Sequence, residues 1–238
     1  MTFRRFLWLC SSLFIAVATA QAEERFADSI RTFEQNINDG TSKPGSIMFL
    51  GSSSIRLWDL DKWFPGYPTI NHGFGGSEIS DSIQYFDRIV APLKPVQIVF
   101  YAGDNDIAKG KSADVVHRDF KTFVGMLHER HPKTQLAYIA IKPSTKRWNL
   151  SKEMAKANAL IAETCQTDEL LTFVDIWTPM LGKDGRPRPE LFVEDGLHLN
   201  EEGYKLWSGI VRELLPVIKP ESVDAADEDK SKRSEKTP

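Results

Sequence analysis

Apolar residues recur along this chain with two periods, and the two alternate. Phe26, Ile30, Phe33 and Ile37 stand at helical spacing, with Gly40 as a stop. The run Ile47 to Leu50 follows as a short strand ending at Gly51, and Thr69-Ile70-Asn71 reads as a weaker strand. Ile79, Ile83, Phe86 and Val90 predict a second helix closed by Pro92, and Val96 to Tyr101 a buried strand. Val115, Val116, Phe120, Phe123, Val124 and Leu127 predict a helix that stops before Pro132. A strand from Leu136 to Ile141, a helix from Ser151 to Cys165 and a strand from Thr172 to Ile176 come next. Asn200 opens a last helix carrying Tyr204, Trp207, Ile210, Val211 and Leu214. This alternation predicts one three-layer α/β/α sandwich on a mostly parallel five-stranded sheet.

The two ends of the chain follow neither period. Residues 1–22 place Arg4 and Arg5 before an apolar run from Phe6 to Ala18 and close on Ala20-Gln21-Ala22. That is the pattern of a cleaved signal peptide, and it predicts a periplasmic or secreted protein. The run is short for a membrane span, and no later segment approaches one. Cleavage leaves Cys165 as the single cysteine, so the exported domain does without an internal disulfide. Residues 221–238 are almost wholly charged or polar and read as a disordered tail, which leaves the fold to 23–220. Lys and Arg number 30 against 33 Asp and Glu, a net charge of −3, so no basic surface for nucleic acid is expected.

In open parallel sheets, ligands bind at the carboxyl ends of the strands. Gly51-Ser52-Ser53-Ser54 follows the first predicted strand and Gly73-Phe74-Gly75-Gly76 the second. Gly103-Asp104-Asn105-Asp106 follows the third, and Asp195-Gly196-Leu197-His198 lies beyond the last. Taken singly, each has a plain explanation: a helix N-cap, a tight turn, an Asx-turn, a surface turn. Taken together, a hydroxyl, a glycine turn, a carboxamide and an Asp-x-x-His on one rim are the parts of a serine hydrolase. The glycines lack the dinucleotide-binding spacing, and Asp104-Asn105-Asp106 lacks the glycine and closing glutamate of a calcium loop. His128 and His131, three apart on a predicted helix end, do not have the zinc-protease spacing.

These four segments, in this order, resemble the motifs of the SGNH hydrolases, the GDSL-type esterases and lipases, whose fold is flavodoxin-like. The resemblance spans about 45–207. It implies Ser53 as nucleophile, His198 as base and Asp195 as its partner. It also implies an oxyanion hole built from the Ser53 and Gly76 N–H groups and the Asn105 side chain. Ser52 stands where the family's first motif has Asp, and Ser54 where it has Leu, so three serines compete for one role. The implied reaction is hydrolysis of a carboxylic ester through an acyl-enzyme, with no metal and no cofactor.

Substrate is less legible. Arg56, Trp58, Lys142 and Trp148 fall on or just past strand ends. Arg56 is a candidate for an anionic head group and Trp148 for stacking on a sugar or aryl face, whereas Trp58 reads as core. His72 lies in the glycine loop and is a candidate for the border of the pocket. Small acyl, aryl, sugar O-acetyl and lysophospholipid esters all stay open, so the partner is a small-molecule or glycan ester. Two rival readings also stay open: an idle exported binding module of the same fold, and an O-acyltransferase.

Overall fold

The computed structural model describes residues 25–216. The expected signal peptide and charged tail lie outside the described residues. Five strands form the sheet: β1 (Ile47–Gly51), β2 (Thr69–Gly73), β3 (Gln97–Tyr101), β4 (Gln135–Ile139) and β5 (Leu171–Val174). Their order is β2-β1-β3-β4-β5, and every pair is parallel. The chain belongs to the α/β class that the alternating pattern predicts.

Successive residues of a strand point to opposite faces, and here both faces are covered. Met48, Leu50, Ile98, Phe100, Leu136 and Tyr138 face one layer of helices. That layer comprises α1 (25–38), α4 (Ile79–Gln84), α5 (Phe86–Ile89), α7 (Ala113–Arg130) and α8 (Ser151–Cys165). Ile47, Phe49, Val99, Tyr101, Ala137 and Ile139 face the other side. There α2 (Ser53–Arg56), α3 (Leu60–Trp63) and α9 (Glu201–Arg212) cover them. A short helix α6 (Asp104–Ala108) follows β3 directly. Each fully buried Phe or Leu in these layers stabilises the fold by roughly 1.5–3 kcal/mol.

The helix expected over 79–90 is two helices, because the backbone at Tyr85 leaves the helical region with ψ near 6°. Tyr85 turns its ring edge-on to Phe26 and Phe74, and that packing outweighs the continuous periodicity. Strands β4 and β5 end earlier than Ile141 and Ile176, although both residues are fully buried. The apolar run records burial there, and burial outlasts the ladder.

The order of the strands also positions the site. From β1 the chain moves to the edge strand β2, then returns across β1 to β3. The direction of winding reverses between β1 and β3, and a crevice opens at their carboxyl ends. Ser53 follows β1 and Asn105 follows β3, so the two flank that reversal.

Candidate active site

Gly51 ends β1 with φ +133°, and a Cβ there would lie 1.9 Å from the Tyr101 carbonyl oxygen. Only glycine lets β1 and β3 approach this closely while the chain turns sharply into α2. The turn separates the three serines. Ser52 is the N-cap of α2 but makes no side-chain capping bond; its hydroxyl is buried and has no hydrogen-bond partner among the described residues. Ser54 is buried and accepts from Lys142 Nζ at 3.2 Å. Ser53 alone of the three lines a cleft.

Across that cleft, Nε2 of His198 lies 3.0 Å from Ser53 Oγ, and Nδ1 lies 2.5 Å from Asp195 Oδ2. The other Asp195 oxygen accepts the N–H groups of Leu197 and His198 at 2.8 and 2.9 Å. What burial Asp195 has opposes its charge, but the His198 N–H, the His198 ring and the Leu197 N–H outweigh it and hold the carboxyl at about 2. The surface turn and the imidazole partner proposed for Asp-x-x-His are therefore one structure. Thr145 Oγ1 and the Lys146 N–H both donate to the Gly196 carbonyl, which pins the turn from behind.

Helix α9 joins the two halves. Asn200 caps it by accepting from the Gly203 N–H. From α9, Tyr204 donates to the Ser54 carbonyl at 3.0 Å and Ser208 accepts from the Trp58 indole at 3.0 Å. Asn71 of β2 donates to the carbonyls of Ile55 and Trp58, fixing the other end of α2. These are charge-neutral bonds in a dry interior, where losing one partner leaves a buried group unsatisfied at a cost of about 1–3 kcal/mol.

The third wall carries Asn105. Gly103 (φ +113°) lets β3 turn straight into α6, which points Asn105 toward the cleft. Its Nδ2 donates to the Ser77 carbonyl at 2.9 Å and its Oδ1 accepts from Arg147 Nη2 at 3.0 Å. Arg147 Nη1 in turn meets Asp104 Oδ2 at 2.9 Å, and the same oxygen receives Lys142 Nζ at 3.2 Å. Burial raises the cost of the Asp104 charge, but the cations Lys142 and Arg147 outweigh it and keep the carboxyl below its usual range. Asp106, wholly buried, accepts from the Ile79 N–H and Lys111 and so ties the start of α4 to α6.

The cleft, about 510 Å³, is lined by Ser53, Gly76, Asn105 and His198 together with Arg25, Arg56 and Arg147. Among the described residues, the Ser53 and Gly76 N–H groups donate to no protein acceptor. The structure thus brings together Ser53, Asp195, His198, Gly76, Asn105 and Arg56. It leaves others elsewhere. Trp148 stands outside the cleft with its ring 6.1 Å from that of Trp177. Trp58 is core, packed on Phe49, Phe64 and Trp207. His72 is buried, stacked on Phe33 at 4.4 Å, and does not border the cleft. Lys142 is only 1% exposed, behind the site rather than in it.

The model of the GDSL-like Lipase/Acylhydrolase family matches residues 56–206, well over half of the chain. The chain belongs to that family. It is an acylhydrolase, and its class of reaction is hydrolysis of carboxylic esters. The matched span opens three residues after Ser53, so the Gly-Ser-Ser-Ser turn lies just outside it. Among relatives, the platelet-activating factor acetylhydrolase IB subunit alpha1 of Bos taurus is 22% identical over 175 residues, 71% of this chain and 74% of that protein. A structure from Streptococcus pneumonia named for platelet activating factor superposes with a TM-score of 0.75 at 17% identity, covering 86% of this chain and 99% of that one. A GDSL-like lipase of Bacteroides thetaiotaomicron gives 0.63 at 18% identity, covering 78% of the acylhydrolase and 97% of its own chain. Both structures share the fold.

Proposed function

We propose that this acylhydrolase is a serine esterase acting through an acyl-enzyme on Ser53. The observation that carries the reading is the unbroken chain from Ser53 Oγ through the His198 ring to Asp195, at 3.0 and 2.5 Å, facing one cleft. With Nδ1 protonated toward Asp195, Nε2 accepts the serine proton as Oγ attacks the ester carbonyl. The imidazolium that forms is stabilised by the ionised Asp195, then returns the proton to the leaving alcohol. Water repeats the sequence on the acyl-serine. The tetrahedral oxyanion is met by the N–H groups of Ser53 and Gly76 and by the Asn105 amide, whose second Nδ2 hydrogen is not used by Ser77.

The substrate is a small-molecule or glycan ester with a short acyl group. The name of the bovine relative, an acetylhydrolase, supports a short acyl chain. Sugar O-acetyl and aryl acetyl esters fit this reading, whereas a lysophospholipid, with its long acyl chain, does not. An idle binding module has little behind it, since the family is one of acylhydrolases and the serine, histidine and aspartate stay hydrogen-bonded. We further propose that the enzyme works outside the cytoplasm, with residues 1–22 as its cleaved leader, on the charge and hydrophobicity pattern of that segment.

Intact mass after treatment with a fluorophosphonate probe tests the reading. One adduct on the wild type and none on Ser53→Ala is expected. An adduct that persists on Ser53→Ala moves the nucleophile elsewhere, and none on folded wild-type protein near pH 8 overturns the esterase.

A further inference from the structure

The cations of the cleft are not evenly committed. Among the described residues its lining holds three arginines and no Asp or Glu. Arg147 is bound by Asp104 and Asn105. Arg25 donates to the Gly76 carbonyl at 2.7 Å, lies over the Phe26 ring and feels the Asp81 carboxylate, but among the described residues it makes no ion pair. Arg56 is exposed, and its guanidinium has, among the described residues, neither a hydrogen bond nor an ion pair. This concentration does not follow from a basic protein, because the chain carries a net charge of −3.

The glycine loop explains how the Arg25 and Arg56 guanidinium groups come to the same place. A Cβ on Gly75 would lie 2.9 Å from Nε of Arg56, and a Cβ on Gly76 would lie 2.8 Å from Nη2 of Arg25. Both guanidinium groups therefore rest on consecutive residues of one loop, in space that any other residue would fill. That same loop presents the Gly76 N–H proposed for the oxyanion. Both guanidinium groups line the same cleft, so one bound anion can meet them together. The planar guanidinium fork matches carboxylate and phosphate geometry in a way an ammonium does not.

We propose that Arg25 and Arg56 form an anion subsite, and that the preferred substrates are esters carrying a carboxylate or a phosphate close to the ester group. The inference rests on the esterase reading and narrows its substrate class to anionic esters.

The experiment compares kcat/KM for phenyl acetate, 4-acetoxybenzoate and 4-acetoxyphenyl phosphate, each normalised to its rate of alkaline hydrolysis. Mono-4-nitrophenyl succinate against 4-nitrophenyl acetate places the anion on the acyl side instead. At least a tenfold preference for an anionic member is expected in the wild type. The ratio should fall toward one in Arg56→Gln and in Arg25→Gln, with Arg56→Lys between. The carboxylate and phosphate arms then distinguish the two sources of the anion. Neutral esters turned over with no anionic preference would overturn the subsite and leave the esterase standing. Calorimetry of 4-acetoxybenzoate on Ser53→Ala reads the subsite without turnover. Binding at least tenfold tighter than phenyl acetate, lost in the Ser53→Ala/Arg56→Gln double variant, supports it. Equal binding overturns it, whatever the fluorophosphonate result.

Discussion

The guanidinium of Arg147 donates from Nη2 to Oδ1 of Asn105 at 3.0 Å, on the side of the amide away from the Nδ2 that faces Ser77 and the cleft. A cation on the amide oxygen draws electron density from the nitrogen and makes Nδ2–H a stronger donor. Asp104, itself held by the buried Lys142, holds the guanidinium at that angle. Arg147 is in this sense a positioning residue for the oxyanion donor. Asn105→Ala is expected to lower kcat on the order of a hundredfold. Arg147→Met should lower kcat about tenfold with little change in KM on neutral esters, since a single polarising bond is lost. Because Arg147 acts through Asn105, the double variant should be no slower than Asn105→Ala alone. Losses that multiply would mean that Arg147 acts by another route.

Asp195 is half-exposed, yet three hydrogen bonds from Leu197 and His198 hold its carboxyl at about 2. It therefore stays ionised at every pH where the protein is expected to work, and its contribution is lost only as pH falls through that value. The pH dependence of kcat/KM above pH 4 should carry no ionisation from Asp195. Asp195→Asn removes the charge and fixes the wrong tautomer, which lowers kcat by about four orders of magnitude in triads of this kind. The check is a pH–rate profile of both proteins. A carboxylate step between pH 4 and 6 that disappears in Asp195→Asn would contradict the assignment.

Most of the site's parts were legible because each is local. Gly51 to Ser54 is a strand end followed by a turn, and Asp195 to His198 closes its own ring of bonds. Periodicity found the strands and long helices for the same reason: each element's apolar face is written in consecutive residues. The support behind Asn105 was not legible. Asp104 meets Lys142 and Arg147 across 38 and 43 residues, and only the folded sheet brings β3 and the loop after β4 together. Lys142 stands just after a strand, but that position does not tell a cleft residue from a buried counterion. Arg25 gave no signal at all, since its role depends on α1 packing beside the glycine loop. Trp148 and His72 likewise lie by sequence position near the rim, and their side chains turn instead to Trp177 and Phe33.

Ser52 stands where the resemblance to the family's first motif implies an Asp, and among the described residues nothing satisfies its hydroxyl. It is 1% exposed, makes no capping bond and has no partner among the described residues. Burying an unpaired hydroxyl costs about 1–3 kcal/mol. Ser52→Ala removes that hydroxyl with only a small cavity in return, and its backbone bonds to Tyr101 and from Ile55 persist. The variant should be as stable as the wild type or up to about 1 kcal/mol more stable, with activity within a few-fold. Thermal unfolding and ester turnover check it together. A loss of more than about 2 kcal/mol would mean that the hydroxyl is engaged in solution.

His72 ties stability to pH. Its ring is 1% exposed, stacked on Phe33, with Nδ1 3.0 Å from the Ile89 carbonyl. Burial disfavours the imidazolium and, against the pull of the Ile89 carbonyl, lowers the pKa from 6.5 to about 4. Between these two values the unfolded chain takes up a proton that the folded chain refuses. The contribution is fully present above pH 6.5 and is lost as pH falls toward 4, up to about 3 kcal/mol in all. His72→Phe keeps an aromatic ring against Phe33 and removes the titration. It forfeits the bond to Ile89, so its stability at pH 7 should be lower by about 1 kcal/mol. The decisive quantity is the slope rather than the level. Urea unfolding at pH 7 and pH 4.5 should show the wild type losing about 2 kcal/mol more than the variant over that interval. Equal losses would place the acid sensitivity in the carboxylates and mean that His72 takes up its proton equally in the folded and unfolded chain.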